Sequence, residues 1–346
     1  MNYGFHRVIQ PSGVIPQAAL QIDNTPQILH PSEILIRVKL INLDSTGMSQ
    51  LRSRNMDIAE QVMNIVSQRG KLHNPVSNSG GVLVGDIEDI GEGISPEFDL
   101  KRGDTIIPVV STSTLPLYLN EITDIRGDQL LVDGSAVLFD GMGYSALPDD
   151  FELNLALAAI DVSSIVPQVY RSVAEAKNIL VIGAGKSGMA AMAAVRASAP
   201  DVKLVALDPA DEALEQIEEC DFADICIKAN ARIPELVLRE IRKVTDGKGF
   251  DLVLNCVNVP DTEAASILSA RHGGTVFFYS MATRFDKAAL GTDATDNDVR
   301  LLIGNGVAKD QATLVFELLR QQPKLKTFFE NQLYSHSILN SLDPRN

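Results

Sequence analysis

One short stretch constrains the fold of this chain more than any other: LVIGAGKSGMAAMAAV at residues 180–195. A strand-like apolar run ends at Gly183, Gly185 and Gly188, and an alanine-rich, helix-like run follows at once. This G-x-G-x-x-G spacing between a strand and a helix is typical of a dinucleotide site. Gly183 permits the tight turn, Gly185 lets the backbone approach a pyrophosphate, and Gly188 allows the helix to pack closely on the strand.

The same stretch contains part of a mononucleotide signature. Gly185-Lys186-Ser187 matches the end of a P-loop, but that motif needs a glycine five positions before Gly185, and Leu180 stands there. We therefore interpret the stretch as a dinucleotide loop. Lys186 and Ser187 then begin the helix, and we expect both to lie beside the bound phosphates.

An acidic residue follows the glycines at the spacing that a dinucleotide site uses. Asp208 lies 20 residues beyond Gly188, at the end of the apolar run KLVALD. A carboxylate at this place accepts hydrogen bonds from the adenosine ribose hydroxyls, whereas it would repel the 2′-phosphate of NADP. The sequence therefore favours NAD as the cofactor, with NADP as the alternative. The competing interpretation is that Asp208 only caps the next helix, near Pro209.

The two parts of the 346-residue chain show different patterns of apolar residues. Residues 1–150 contain short strand patterns separated by glycine turns, such as 33–43, and one helical pattern at 56–70 that ends at a glycine. Residues 151–316 alternate continuous apolar strands with helices, which is typical of a doubly wound parallel sheet. We therefore predict an α/β protein with a strand-rich first domain, a Rossmann second domain, and a terminal piece, 317–346, that returns to the first.

Several strands of the predicted parallel sheet are followed by polar or small residues. Because ligands bind at the carboxyl ends of such strands, we expect Asn255, Cys256 and Ser280 to lie near the cofactor. Cys256 is a packing residue rather than a nucleophile in this interpretation, because no histidine or basic residue stands near it in the sequence. Ahead of these strands, the apolar run 155–174 predicts one helix that carries the carboxylate of Asp161.

Composition excludes several classes of function. The formal net charge is −15, so a nucleic-acid backbone would be repelled, whereas a cationic substrate would be tolerated. The three cysteines follow no regular spacing, which argues against a disulfide framework and fits a reducing cytoplasm. No apolar run approaches the length of a membrane span, and the first ten residues show no signal-peptide pattern. We expect a cytoplasmic protein that binds neither nucleic acid nor membrane.

The order of the domains resembles that of the medium-chain dehydrogenase/reductase superfamily, in which a GroES-like catalytic domain precedes a Rossmann domain. Residues 5–24, 73–85 and 183–189 are similar to one family within it, the L-erythro-3,5-diaminohexanoate dehydrogenases of lysine fermentation. The resemblance implies NAD(P)-linked oxidative deamination of a diamino acid by a homodimer. Gly304-Asn305-Gly306 resembles a stretch near the nicotinamide carboxamide, which adds Asn305 to the expected cofactor contacts.

Zinc-dependent members of the superfamily hold the metal with ligands from three places, and this chain lacks the usual ligand types there. Asp44-Ser45-Thr46 stands at the first place, Ser77-Asn78-Ser79 at the second and Asp161 near the third, and no cysteine precedes Cys220. His73 lies close to the second place, but a single imidazole does not make a zinc site. We therefore predict a metal-free enzyme.

Acidic and neutral polar residues in these places suit a positively charged amine. A carboxylate within an apolar helix is costly to bury unless it is paired, so we predict that Asp161 faces the substrate and holds an ammonium group. Asp44 is the second candidate for binding the amine or accepting its proton. The alternatives are that Asp44 is a turn residue and that residues 77–79 form an ordinary loop. The polar neighbours that we expect to assist are Ser45, Thr46, Asn78 and Ser79.

Two other functions fit the same scaffold. A zinc-free ketone, quinone or enoyl reductase would share the fold and the cofactor, but its substrate pocket would be mostly apolar. A non-catalytic protein would bind NAD without turning over any amine, ketone or enone. The substrate-side acids favour the amine dehydrogenase over both.

Overall fold

The computed structural model describes residues 3–54, 56–76, 80–280, 282–304, 306–308 and 310–335. These residues belong to two compact units, which are described separately. The first unit runs to Asp161 and takes up the chain again from Glu330, and the second spans Val162–Phe329. Both boundaries lie later in the chain than the ones predicted from the sequence, which follow residues 150 and 316.

The first unit is built on an antiparallel sheet of six strands beside a small sheet of two strands. Its strands are β1 (Val8–Gln10), β2 (Gln21–Ile22), β3 (Glu33–Leu43), β4 (Gly81–Ile90), β5 (Thr105–Pro108), β6 (Leu117–Arg126), β7 (Gln129–Phe139) and β8 (Tyr144–Ala146). Its helices are α1 (Ser45–Ser53), α2 (Ile58–Arg69) and α3 (Leu153–Asp161), and a turn of 3₁₀ helix covers Phe5–Arg7. The strand order is β6-β7-β3-β4-β5-β8 in the main sheet, and β1 pairs with β2.

The strand predicted over 33–43 is present as β3, which lies between β7 and β4 in the main sheet. All of its residues are buried except Arg37 and Lys39, which alternate with buried Val38 and form ion pairs with Asp86 on β4. The helix predicted over 56–70 is also confirmed as α2. It begins at an aspartate cap and ends at a glycine in the left-handed conformation, which a side chain rarely adopts.

The second unit contains a parallel sheet of six strands, which confirms the predicted fold class. Its strands are β9 (Asn178–Ile182), β10 (Lys203–Asp208), β11 (Ile225–Lys228), β12 (Phe250–Asn255), β13 (Ala270–Phe278) and β14 (Arg300–Ile303). Its helices are α4 (Ile165–Ser172), α5 (Lys186–Ser198), α6 (Asp211–Cys220), α7 (Pro234–Thr245), α8 (Glu263–Ser269), α9 (Phe285–Thr295) and α10 (Gln311–Gln321). The last helix, α11 (Pro323–Ser335), begins in this unit and contains the residue at which the first unit resumes. The strand order β11-β10-β9-β12-β13-β14 reverses beside β9, and ligands of such sheets bind at this switch point.

The apolar run 155–174 is not one continuous helix, contrary to the prediction. It forms the end of α3 and all of α4, with a break at Val162–Ser164. Pro167 supplies the physical reason, because it has no amide hydrogen to bond the carbonyl of Ser163 in an uninterrupted helix. In the first turn of α4 the missing amide costs nothing, since the amides there have no partner within the helix.

No single helix among the described residues combines the length and the apolar composition needed to cross a membrane. Helices α3 and α4 pass that test only when they are taken together as a bent pair, and most of their apolar residues are buried inside the protein.

Candidate functional site

The glycine-rich loop joins β9 to α5 at the switch point of the parallel sheet. Gly183 has a φ of +95°, a conformation that favours glycine, and its amide donates a 2.8 Å hydrogen bond to the carbonyl of Leu207. A Cβ at Gly188 would collide with the carbonyl oxygen of Gly183. Helix α5 can therefore approach the loop this closely only because residue 188 has no side chain.

Open space lies in front of the first turn of α5. Gly185 is the N-cap residue, and a Cβ built there would meet no atom within 4 Å. Lys186 and Ser187 are the first residues of the helix, and both are half-buried. The first amides of a helix have no partner within the helix and carry partial positive charge, so the arrangement suits an anionic group.

The carboxylate of Asp208 is tied to the glycine loop. Its Oδ2 accepts a 2.9 Å hydrogen bond from the amide of Ala184, and its Oδ1 accepts a 3.0 Å bond from the amide of Ala210. The second bond forms a turn that leads the chain toward α6, whose N-cap residue is Ala210 and which receives no side-chain cap bond. The first bond places the carboxylate beside the turn between Gly183 and Gly185, which a cap alone would not require.

These residues fit a bound dinucleotide. The cradle at Gly185, the helix start behind it and the half-buried acid at the end of the neighbouring strand lie together at the carboxyl ends of β9 and β10. The amides of the loop and of the start of α5 would hold the pyrophosphate, and Asp208 would hold the adenosine ribose.

The side chain of Asn255 is hydrogen-bonded within the protein, at the end of β12. The residue is fully buried at the end of β12. Its Nδ2 donates to the hydroxyls of Thr262 and Ser266 at 2.8 and 2.9 Å, and its Oδ1 accepts from the amide of Val257 at 3.0 Å. Both amide hydrogens are used, so the side chain of Asn255 shapes the loop that follows β12, while its contact with a cofactor stays a prediction.

The other expected cofactor residues stand at strand ends without a demonstrated ligand role. Cys256 is buried, and burial raises the pKa of its thiol to about 12, which agrees with a packing role rather than a nucleophilic one. The hydroxyl of Ser280 donates to Asn258 at 3.1 Å and accepts from the amide of Ala282 at 3.0 Å, so it orders the turn after β13. Asn305 lies outside the described residues. Their contact with a cofactor stays a prediction.

In the first unit, Asp44 is the N-cap of α1, as the structural alternative foresaw. Its Oδ1 accepts a 2.7 Å hydrogen bond from the amide of Gly47, and Ser45 and Thr46 form the first turn of the helix. The amide of Asp44 donates to the carbonyl of Gly80 at 3.3 Å. This bond brings the Asp44 turn next to the residue that follows the second predicted block. Within that block, Ser77, Asn78 and Ser79 lie outside the described residues.

Sequence reasoning missed a set of hydroxyl groups beside Gly80. Thr112 and Ser113 are both buried, and the amide of Thr112 donates to the carbonyl of Gly81 at 2.9 Å. The hydroxyl of Ser113 donates to that of Ser111 at 2.9 Å. The stretch STST at 111–114 supplies these hydroxyls, but it is also typical of an ordinary turn, so the sequence alone does not single it out.

Asp161 is the last residue of α3 and is half-buried, whereas residues 155–160 before it are all buried. The carbonyl end of a helix carries partial negative charge, so the carboxylate adds to a negative potential that is already present. An acid at this position is unfavourable for the helix and favourable for a cation nearby. The structure thus supplies an electrostatic reason for an ammonium site at Asp161, while the contact itself stays a prediction.

No group of three or more His, Cys, Asp or Glu side chains is arranged to hold a metal ion in the part of the chain that the structure describes. His73 is buried in the segment that leads from α2 toward the second block.

A buried ion pair that no sequence pattern indicates organises the N-terminal segment. Arg7 and Glu33 are both fully buried, and the guanidinium meets the two carboxylate oxygens at 2.7 and 2.8 Å. Burial alone would raise the pKa of Glu33, but hydrogen bonds from Arg7 and His6 outweigh it and lower the pKa to about 2. Arg7 also donates to the main-chain carbonyls of Thr25 and Gln27. The pair therefore fixes the start of the chain on the sheet.

Lys71 is a second buried charge in the first unit. Its Nζ donates to the main-chain carbonyl of Gln17 at 2.8 Å and to that of Pro16. Burial, together with the charge of Arg69, lowers the pKa of Lys71 to about 8. Because the ammonium group is enclosed by main-chain carbonyls, Lys71 is not a candidate for binding a substrate carboxylate.

Comparisons with known proteins agree across nearly the whole chain. The model of a family described as L-erythro-3,5-diaminohexanoate dehydrogenase N-terminal domain matches residues 6–148, and one described as zinc-binding dehydrogenase matches residues 187–297. The L-erythro-3,5-diaminohexanoate dehydrogenase of Acetoanaerobium sticklandii is 41% identical over 337 residues, which cover 95% of this chain and 98% of the relative. The enzyme of the same name from Fusobacterium nucleatum subsp. nucleatum is 39% identical over 342 residues, with 96% and 98% covered.

Solved structures share the fold at much lower identity. A mycobacterial protein complexed with NADPH aligns with a TM-score of 0.57 at 15% identity, covering 97% of this chain and 88% of that one. A quinone oxidoreductase of Pseudomonas syringae pv. Tomato DC3000 aligns with a TM-score of 0.56 at 18% identity, covering 91% of each chain. With the family matches, these similarities confirm the dehydrogenase fold that the sequence predicts.

Proposed function

The chain belongs to the L-erythro-3,5-diaminohexanoate dehydrogenase family, and we propose that it oxidatively deaminates L-erythro-3,5-diaminohexanoate to 5-amino-3-oxohexanoate and ammonium. The proposal includes NAD(P) as the hydride acceptor and a place in lysine fermentation. One observation carries it: the identity to relatives of that name extends over the substrate-side unit as well as the nucleotide-binding one. An oxidoreductase with this fold needs a hydride acceptor, which the glycine cradle is shaped to hold.

NAD is the proposed cofactor, with NADP as the alternative. When bound, the nicotinamide ring accepts the hydride that leaves the amine carbon. The chain's own contribution is to hold the two ends of the dinucleotide, with the amides at the start of α5 on the pyrophosphate and Asp208 on the ribose hydroxyls. The negative charge of Asp208 stands where a 2′-phosphate would come, which disfavours NADP by like-charge repulsion.

Asp161 is the proposed anchor for the amine. The substrate carries two ammonium groups and one carboxylate at neutral pH, so complementary negative charge is needed beside its reacting end. Asp161 combines its own carboxylate with the negative end of α3, and its partial burial reduces screening by water. A carboxylate that pairs with the ammonium fixes the amine carbon in one orientation for hydride loss.

Deamination also requires that a proton leave the ammonium group and that water attack the resulting imine. Asp44 is the proposed second acid for this task, because its amide bonds Gly80, which follows the second polar block in the sequence. Ser45, Thr46, Asn78 and Ser79 are the proposed neutral partners that orient the amine or the water. The N-cap role of Asp44 is compatible with this proposal, since a capping carboxylate keeps its negative charge.

The proposed reaction proceeds without a bound metal. Oxidation of an amine forms no alkoxide, so its charge changes do not call for a Lewis acid. The residues at the three former ligand places are acids, hydroxyls and an amide rather than thiolates or imidazoles, and such a set suits an ammonium ion better than zinc.

We also propose a cytoplasmic homodimer that pairs through the exposed edge strand β14. Leu302 and Ile303 on this strand are each 45% exposed, and β14 is the last strand of the parallel sheet. An uncovered apolar edge strand offers unpaired main-chain groups to a second copy. Replacement of Leu302 by lysine should convert a dimer into a monomer by light scattering, whereas a native protein that is monomeric would overturn this proposal. The free cysteines support the cytoplasmic location.

A substrate panel tests the proposed function most broadly. Reduction of NAD and of NADP is followed at 340 nm with the diamino acid and with simple alcohols, and reverse assays use quinones and enones with NADH and NADPH. The proposal expects turnover with the diamino acid and none with the alcohols. Activity confined to ketones, quinones or enones would replace it with the zinc-free reductase alternative, and binding of NAD without any turnover would indicate a non-catalytic protein.

A further inference from the structure

Four buried polar residues meet at the carboxyl end of the parallel sheet, and none of them belongs to the site described so far. They come from the break after α3, from the end of β13 and from the start of α10. Ser163, Ser164, Tyr279 and Gln311 expose between 0% and 7% of their surface. Such groups are costly to bury unless each finds a partner, and here they find one another.

Tyr279 is the first residue after β13, and it reaches the break between α3 and α4. Its hydroxyl lies 2.7 Å from the hydroxyl of Ser164 and 3.4 Å from the main-chain carbonyl of Val162. Its amide donates to the carbonyl of Asn255 at 3.0 Å, so its backbone is fixed to the end of β12. Tyr279 therefore links the break to the sheet edge where ligands of this fold bind.

Gln311 holds the same segment from another side. Its Nε2 donates to the hydroxyl of Ser163 at 2.9 Å, and its Oε1 accepts from the amide of Ala308 at 2.9 Å. The two ends of one amide group thus connect the break to the residues that precede α10. Gln311 and Tyr279 thus form side-chain hydrogen bonds with two consecutive residues, Ser163 and Ser164.

The segment held in this way, Val162–Ser164, follows Asp161 directly along the chain. Helix α3 ends at Asp161, where the break begins. The last residues of a helix fray readily because their carbonyl groups have no partner within the helix. The hydrogen bonds from Tyr279 to Ser164 and from Gln311 to Ser163 hold the segment in place of the helical hydrogen bonds that are missing at the break. An acid that holds a reacting amine needs such order, because a displacement of about 1 Å can cost on the order of 100-fold in rate.

We propose that Tyr279 and Gln311 are positioning residues for amine oxidation, which act by fixing Val162–Ser164 and hence the carboxylate of Asp161. This inference rests on the proposed function, in which Asp161 holds the ammonium group. Neither side chain needs to touch the substrate. Their loss should lower kcat for the diamino acid and leave cofactor binding unchanged.

The experiment combines kinetics with hydrogen exchange in the full-length protein. Tyr279→Phe removes one hydroxyl and keeps the ring, which packs edge-on against Phe277 at 6.1 Å between centroids. Gln311→Met removes both side-chain hydrogen bonds of Gln311, to Ala308 and to Ser163. Gln311→Glu keeps oxygens that can accept from the amide of Ala308 and from the hydroxyl of Ser163. We expect kcat to fall about 10-fold or more in the Phe and Met variants and to recover substantially in the Glu variant, while the Kd for NADH stays within twofold.

Amide exchange over residues 162–166 reports the positioning without reference to turnover. Exchange should accelerate in the Phe and Met variants, and Tyr144→Phe serves as the control because it removes a surface hydroxyl that bonds Asp99 at 2.8 Å in the first unit. Unchanged kcat, or a loss of kcat without faster exchange, would overturn the inference. If the native protein fails to oxidise the diamino acid, the proposed function falls and the inference falls with it, whereas native turnover with indifferent variants refutes the inference alone.

Discussion

Replacement of Asp208 by asparagine removes one charge from the cofactor site while it keeps the size of the side chain. The native carboxylate accepts hydrogen bonds from the amides of Ala184 and Ala210. Asparagine has one acceptor oxygen, so it can serve one of these amides well and turns its NH₂ group toward the other. Ala184 is 4% exposed, and an unpaired amide at such a site costs about 1–3 kcal/mol of stability.

The effect on the cofactor is separate from this structural cost. Hydrogen bonds from ribose hydroxyls to a carboxylate contribute about 1.5–3 kcal/mol, so the Kd for NADH should rise about 10- to 100-fold. The Kd for NADPH should rise less or fall, because the substitution also removes the repulsion of the 2′-phosphate. The ratio of the two Kd values is the decisive quantity, since a general loss of structure would weaken both cofactors alike.

Fluorescence titration of NADH and NADPH gives both Kd values, and urea unfolding gives the stability of the same preparations. Asp211→Asn is the matched control, because Asp211 begins the next helix and pairs with Lys228 at 2.6 Å on the surface. The control should leave the ratio unchanged. If Asp208→Asn lowers stability and leaves the ratio of Kd values as in the native protein, Asp208 is only a structural residue and the preference for NAD has another source.

Three further perturbations test the fold around the two sites. Gly188→Ala should weaken NADH binding by more than 10-fold and lower the free energy of unfolding by about 1–3 kcal/mol, because the new Cβ meets the carbonyl oxygen of Gly183. NADH titration and urea unfolding curves like those of the native protein would contradict this. The pKa of Lys71 is about 8 in the folded chain against an ordinary 10.5, so the unfolded state binds more protons between these values, and this group makes stability rise with pH across that window. Lys71→Met should lose this rise, by up to about 3 kcal/mol, in urea unfolding compared at pH 7.5 and pH 10; parallel profiles would refute the assignment. Glu33→Gln should cost about 3–5 kcal/mol in urea unfolding, because it leaves the buried charge of Arg7 only the longer contact with the partly exposed Asp23 at 3.9 Å. A loss under 1 kcal/mol would show that the pair with Glu33 is dispensable.

The nucleotide-binding unit could be predicted from the sequence because its constraints are local. Gly183 and Gly188 are required by a turn with positive φ and by a close approach, and both act within one strand–loop–helix unit. Asp208, the acid at the end of the next strand, follows Gly188 by only 20 residues. The apolar pattern continues through the break at Val162–Ser164 and by itself predicts one helix, whereas Pro167 was the sequence signal that could have indicated the break.

The substrate-side residues were harder to predict, because they meet through long-range pairing. Asp44 approaches Gly80 only because β3 and β4 pair in an antiparallel register, and the sequence does not specify which hydroxyls then stand beside them. Thr112 joins them from a loop after a third strand. Asn255 lies at a strand end as the sequence predicts, but the sequence does not specify that its side chain bonds Thr262.

The grip of Asp161 on a cationic amine is the central claim, and one pair of measurements tests it most directly. The native enzyme and Asp161→Asn are compared for kcat/KM with 3,5-diaminohexanoate and for the Kd of NADH, so that charge is removed at constant size. Loss of a partly buried charge pair corresponds to about 10- to 100-fold in kcat/KM, with the Kd for NADH unchanged within twofold. A variant that retains native kcat/KM, or one that loses NADH binding in parallel, would contradict the assignment of the amine to this acid.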